Sequence, residues 1–262
     1  MADLKKNSQL LYQSDDNSFI LYQKGSLRWL SFGDRAVQAV INMDCPDVPY
    51  LPTVRLMLMT RYFANYQAKE EHFRILNLGM GGASVERFFT RILPDATLHS
   101  VEINRELIAA IQKNFVLPPE HIRGGMEIFP MDAERFLKQR ASDAASSLYN
   151  IILMDHLTSR DPVDVLSQCE YAAAMLDSDG CLAINLIPED DLQLRDFLLV
   201  IREHFPCTRI IDLPGYRNVV VFARLQPFSQ MTLDLASSDQ LHNPAEEQAW
   251  LERMVSLPDK ER

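Results

Sequence analysis

The stretch Arg74-Ile75-Leu76-Asn77-Leu78-Gly79-Met80-Gly81-Gly82-Ala83-Ser84 constrains this chain more than any other. An apolar strand pattern runs into a glycine cluster. Val85, Phe88, Phe89 and Ile92 then recur at i, i+3, i+4 and i+7, one face of a helix. The next strand pattern, 97–102, ends in Glu102, 23 positions after Gly79. Glycines let a ligand come close to the backbone, and a carboxylate at the following strand end accepts hydrogen bonds from both hydroxyls of a ribose. Gly79, Gly81, Gly82 and Glu102 therefore read as a nucleoside pocket. Ser84 replaces the third glycine of G-x-G-x-x-G, and a tight strand–helix turn without a ligand is the other reading.

Around this turn the chain divides into three parts. Residues 1–50 carry four short strand patterns, at 10–12, 19–22, 27–32 and 36–41, separated by polar turns, and predict a small antiparallel meander. Pro46, Pro49 and Pro52 mark a connector. Residues 51–225 open with a helical stripe over 54–66 through Met57, Leu58 and Tyr62. Strands at 73–78, 97–102, 126–131, 149–155 and 180–187 then alternate with helices at 84–92, 104–115, 132–140, 165–176 and 189–204. Such alternation predicts right-handed βαβ units in an α/β, Rossmann-like, doubly wound and mainly parallel sheet. The last two strands, 207–213 and 218–225, are joined by Pro214-Gly215-Tyr216-Arg217, a link short enough to require an antiparallel closing strand. Residues 226–262 form a polar extension with one helical pattern from Glu246 to Met254.

A net charge of −10 argues against a general nucleic-acid binder, which needs basic surface to neutralise phosphates. The four cysteines lack C-x-x-C spacing and the six histidines form no H-x-x-H pair, so no protein-bound metal is expected. The first residues are polar, and no apolar run approaches a membrane span, so a cytoplasmic protein without a membrane partner is expected.

In a doubly wound sheet the ligand lies at the carboxyl ends of the strands. Asp132 and Asp155 end the third and fourth predicted strands, after the glycines and Glu102. Asp132 could accept from an adenine amino group while Ala133 leaves room for the ring; it could equally be the N-cap of the next helix. Asp155 precedes a polar segment in which Asp161 adds a second carboxylate suited to a cation, although Asp161-Pro162 also suits a helix start. His156, beside Asp155, is a candidate general base.

At these residues the chain resembles the spermidine synthase family, aminopropyltransferases with the class I S-adenosylmethionine-dependent methyltransferase fold, over roughly residues 10 to 225. The resemblance implies that Glu102 binds ribose, that Asp132-Ala133 lies on the adenine side, and that Asp155 helps deprotonate the attacking amine. It further implies that Gln38, Asp161 and the Tyr216 of Pro214-Gly215-Tyr216 line the amine site. The expected activity is transfer of an aminopropyl or methyl group from decarboxylated or intact S-adenosylmethionine to an amine or polyamine, by a homodimer. An S-adenosylmethionine-dependent methyltransferase and a non-catalytic nucleoside-binding descendant are the alternatives. Three departures bear on this. Gly82 stands where the family has the aspartate that binds the aminopropyl end. Asp155 and Asp161 are six apart rather than three. Residues 44–50 replace the run that follows the family's glutamine.

Overall fold

The computed structural model describes residues 7–33, 36–64, 73–117, 124–143, 147–155, 162–228 and 243–258. The fold is α/β, with a small antiparallel sheet ahead of a larger, mostly parallel one. Strands β1 (Gln9–Gln13), β2 (Phe19–Lys24), β3 (Leu27–Phe32) and β4 (Ala36–Asn42) form the first sheet in sequence order. Their alternation gives it an apolar inner face of Phe19, Leu21, Leu30, Ala39 and Ile41. The β3–β4 register jumps from Leu30↔Ala39 to Ser31↔Val37, so Gln38 is the extra residue of a β-bulge.

The helical stripe expected over 54–66 is two short helices instead, α1 (Pro52–Met57) and α2 (Thr60–Phe63). Leu56, Met57, Leu58 and Met59 are all buried, and four consecutive residues span every side of a regular helix. The chain bends at Leu58–Met59, and the Thr60 hydroxyl donates to the Met57 carbonyl at 2.9 Å across the bend.

The larger sheet contains β5 (Arg74–Leu78), β6 (Thr97–Val101), β7 (Met126–Phe129), β8 (Tyr149–Met154), β9 (Leu176–Leu186), β10 (Cys207–Asp212), β11 (Val219–Arg224) and β12 (Val255–Ser256). Their order is β12-β10-β11-β9-β8-β5-β6-β7. The pairings from β7 through β9 are parallel, and β11 runs antiparallel to both β9 and β10. The chain steps outward from β5 to β7 and returns to β8 on the other side of β5. That reversal opens a crevice at the carboxyl ends of β5 and β8.

Helices α3 (Ser84–Ile92), α4 (Arg105–Asn114), α5 (Ala133–Ala141), α6 (Pro162–Met175), α7 (Asp191–His204) and α8 (Pro244–Arg253) complete the fold. One face of the sheet packs on α1, α2, α3 and α8 through Phe63, Phe88, Phe89 and Trp250. The other packs on α5, α6 and α7 through Phe136, Cys169, Phe197 and Ile201. Both faces are covered, so β8 (Tyr-Asn-Ile-Ile-Leu-Met) is buried throughout. The small sheet lays its inner face on α4 and on Met80 and Ala83 of the glycine turn.

Strand β7 ends at Phe129 rather than at 131, so Asp132 lies three residues beyond the ladder. Strand β9 begins at Leu176, before the expected 180, and α6 begins at Pro162, the proline-first start that residues 161–162 suggested. Within the span 226–262, α8 and β12 dock on the large sheet. Arg55 pairs with Glu246 at 2.9 Å, and Arg61 and the Tyr62 hydroxyl both reach Glu247 at 2.6 Å. Among the described residues no helix is long and apolar enough to cross a membrane.

Candidate functional site

The glycine turn is anchored to the neighbouring strand. The N–H groups of Gly79 and Met80 both donate to the Val101 carbonyl, at 2.9 and 3.2 Å. The turn then uses positive φ three times, at Gly79 (97°), Gly81 (50°) and Ala83 (58°). Ala83 is the costly one: a residue with a Cβ in the left-handed region stores about 1–3 kcal/mol. Its side chain is wholly buried in the core shared by α4 and the small sheet, which holds it there. A Cβ at Gly82 would lie 2.4 Å from the Ala39 Cβ of β4 and 3.3 Å from Phe115, so position 82 admits no side chain as β4 now sits. A Cβ at Gly81, by contrast, meets nothing within 4 Å.

Glu102 closes the other side of this open space. Its Oε2 accepts the Gly81 N–H at 3.3 Å and its Oε1 accepts the Asn104 N–H at 3.0 Å. A half-buried carboxylate next to an open, glycine-walled cradle fits the ribose of a nucleoside, whose hydroxyls can only donate to it. Asp132 is solvent-exposed and caps α5, accepting the Arg135 N–H at 2.9 Å, while Ala133 is buried behind it.

Two buried ionisable side chains of α3 lie behind the turn, and one of them, Arg87, braces it directly. The Arg87 guanidinium donates to the carbonyls of Pro46 (2.9 Å), Gly82 (2.8 Å) and Val116 (3.2 Å) and to the Ser84 hydroxyl (3.2 Å). Burial lowers its pKa to about 10, with Glu86 and Asp47 opposing, so it remains a cation at neutral pH. Glu86 is fully buried, and Asn77 and Ser100 donate to its Oε1. Burial drives its pKa up, against the lowering effect of those two bonds.

Asp155 follows β8, and its N–H donates to the Leu78 carbonyl at 3.0 Å, which seats it beside Gly79. Its side chain is exposed at the carboxyl end of β8. Desolvation raises its pKa from 3.8 to about 6, against the lowering effect of Asn185, whose Nδ2 donates to Oδ1 at 2.6 Å. The β10–β11 hairpin reaches the same end of the sheet, because Val219 pairs with Leu186. It carries Tyr216, 39% exposed, on a turn in which the Tyr216 N–H donates to the Leu213 carbonyl. Gln38, exposed on its bulge, adjoins the Ala39 that touches the glycine turn.

The structure thus places Gly79, Gly81, Gly82, Glu102 and Asp155 together at the strand ends, with Gln38 on the β4 bulge and Tyr216 on the hairpin turn. His156 and Asp161 lie outside the described residues. Among the described residues no group of three His, Cys, Asp or Glu side chains is placed to hold a metal. Sequence reasoning missed Asn185, Asn218, Ala39 and Arg87. Asn185 had a readable signal, a lone amide within the otherwise apolar run 181–186.

The sheet order and the crevice define a Rossmann-like domain of the class found in S-adenosylmethionine-dependent methyltransferases. No family model matches the chain. Over 233 residues it is 28% identical to a polyamine aminopropyltransferase of Neisseria meningitidis serogroup A, covering 84% of this chain and 82% of that one. Its fold resembles a probable spermidine synthase from Corynebacterium glutamicum, with a TM-score of 0.69, 17% identity, and 97% and 88% of the two chains covered. Human methyltransferase-like protein 13 in complex with SAH gives a TM-score of 0.58 at 20% identity, covering 80% of this chain and 93% of that one. The chain is thus similar in sequence to polyamine aminopropyltransferases and in fold to spermidine synthases and methyltransferases.

Proposed function

We propose that this protein is a spermidine-synthase-like transferase that binds S-adenosylmethionine or its decarboxylated form and passes an aminopropyl or methyl group to an amine. The observation that carries this reading is Asp155, a carboxylate at the end of β8 whose N–H donates to the Leu78 carbonyl, next to the glycine turn that Glu102 also contacts. Glu102 holds the ribose hydroxyls, Gly79, Gly81 and Gly82 let the backbone approach, and Asp132 and Ala133 border the adenine. When bound, the co-substrate supplies an electrophilic carbon on a sulfonium. Orienting the amine and keeping it unprotonated is the protein's share. Asp155, with a pKa of about 6, is mostly ionised at neutral pH and takes the amine's proton. Gln38 and Tyr216 border the acceptor, with His156 and Asp161 as proposed further members of that end. The 28% identity to a polyamine aminopropyltransferase supports this reading.

The packing at Gly82 favours a second reading. Ala39 fills the place from which an acidic side chain would grip an aminopropyl ammonium. A chain without that grip suits methyl transfer, or nucleoside binding without catalysis. The unpaired N–H groups and positive dipole end of α3 beside the turn favour an anionic tail. Intact S-adenosylmethionine should therefore bind at least as tightly as the decarboxylated form. Side-by-side calorimetric titrations test this, and a tenfold preference for the decarboxylated form, about 1.4 kcal/mol, overturns it. In the same assay Glu102→Ala should weaken methylthioadenosine binding by about 2–4 kcal/mol. Unchanged affinity in the folded variant rejects the nucleoside site. Turnover with a panel of diamines and polyamines then separates the catalytic from the non-catalytic reading.

A further inference from the structure

An amide side chain has one donating end and one accepting end, so a partner at one end dictates what the other presents. Asn185, in β9, donates through Nδ2 to Asp155 Oδ1 at 2.6 Å, and its Oδ1 accepts from Asn218 Nδ2 at 2.9 Å. Asn218 stands at the foot of the hairpin that carries Tyr216, and Val220, two residues on, pairs with Asn185 across the ladder. We propose that Asn218 and Asn185 form a positioning relay that keeps Asp155 Oδ1 an acceptor and leaves Oδ2 as the oxygen that gains a proton. The relay joins the hairpin turn to the carboxylate, so the turn's position is felt at the proton-accepting atom.

Strand β5 contributes the Leu78 carbonyl, which accepts the Asp155 N–H. From the hairpin, Arg217 donates to the Pro188 carbonyl, and Tyr216 is the neighbouring titratable group. Burial raises the Asp155 pKa and the Asn185 bond lowers it. A donor to Oδ1 stabilises the ionised carboxylate, whereas a reversed relay, with the Asn185 oxygen facing Asp155, would stabilise the protonated acid. The two arrangements move the titration in opposite directions when Asn185 is removed.

The catalytic consequence rests on the transferase reading above, but the relay is tested without turnover. Asp155 is titrated by 13C NMR of labelled carboxylates, its resonance assigned by its loss in Asp155→Asn. Asn185→Leu keeps nearly the same shape, so water does not replace the amide. It should raise the Asp155 pKa by about one pH unit or more. Asn218→Leu, at the half-exposed end, should raise it by less and serves as the test if Asn185→Leu does not fold. A lowered or unmoved Asp155 titration in a folded variant overturns the relay. A purely structural role would lower the melting temperature and leave that titration where it was. If the titration rises while no amine is ever turned over, the relay stands and the transferase reading falls.

Discussion

At the scale of single residues, two positions make opposite demands on a side chain. Gly82 must have none: with Ala39 only 2.4 Å from its would-be Cβ, Gly82→Ala should destabilise the fold by about 1–3 kcal/mol, read by urea unfolding. Adding Ala39→Gly should return most of that loss, and a double variant as unstable as the single one rejects the contact. Asp155 needs its charge but folds more easily without it. Its pKa is 3.8 unfolded and about 6 folded, so between those values the native state holds more protons. Its contribution to stability therefore falls as pH rises through that window and stays low above it. Asp155→Asn should melt above the parent at about pH 8 and level with it near pH 4, by circular dichroism. Turnover by the parent should rise with pH to a plateau above about 6, because only the carboxylate accepts a proton. A flat profile would remove Asp155 from that role.

The elements show which parts of the fold were legible and why. Strand β5, the glycine turn and α3 were readable because Ile75 and Leu76 alternate between the cores on the two sheet faces, while Phe88 and Phe89 recur at helical spacing toward one of them. That apolar stripe says nothing of its polar neighbours, and Glu86 and Arg87 are buried as well. Their partners, Asn77, Ser100 and the carbonyls of Pro46 and Val116, come from distant segments that no local period encodes. The broken α1–α2 helix was missed for a related reason: a run of apolar residues does not reveal that all of them are enclosed. Glu102 and Asp155 were legible as strand ends, whereas Asn185 and Asn218 meet only through the antiparallel pairing of β9 with β11. Arg87 ties the connector, the glycine turn and the segment after α4 together. Arg87→Met should leave those carbonyls unpaired and cost about 3 kcal/mol or more in chemical unfolding. Arg87→Lys should recover only part, since an ammonium cannot reproduce the guanidinium fork. Full stability in Arg87→Met would show that water serves those carbonyls equally well.

For the whole molecule, the C-terminal segment matters beyond its polar composition. Trp250 of α8 is 5% exposed within the core formed by α1, α2, α3 and the sheet. Trp250→Ala should lower unfolding stability by about 3–5 kcal/mol while leaving methylthioadenosine affinity within twofold, because Trp250 packs in the core on one face of the sheet and not against the glycine turn. An equal loss of affinity would show that this packing also shapes the pocket. The pairing has a consequence for how the chain is made. Arg55 and Glu246 are 191 residues apart, and Arg61 and Glu247 are 186 apart. At about 5–20 residues per second, α1 and α2 leave the ribosome roughly 10–40 s before the helix that covers them. Until then the nascent chain lacks the helix that covers α1 and α2, and Arg55, Arg61 and Tyr62 lack their glutamates. Chaperones that bind exposed apolar surface should therefore meet this protein during its synthesis and let go when α8 arrives.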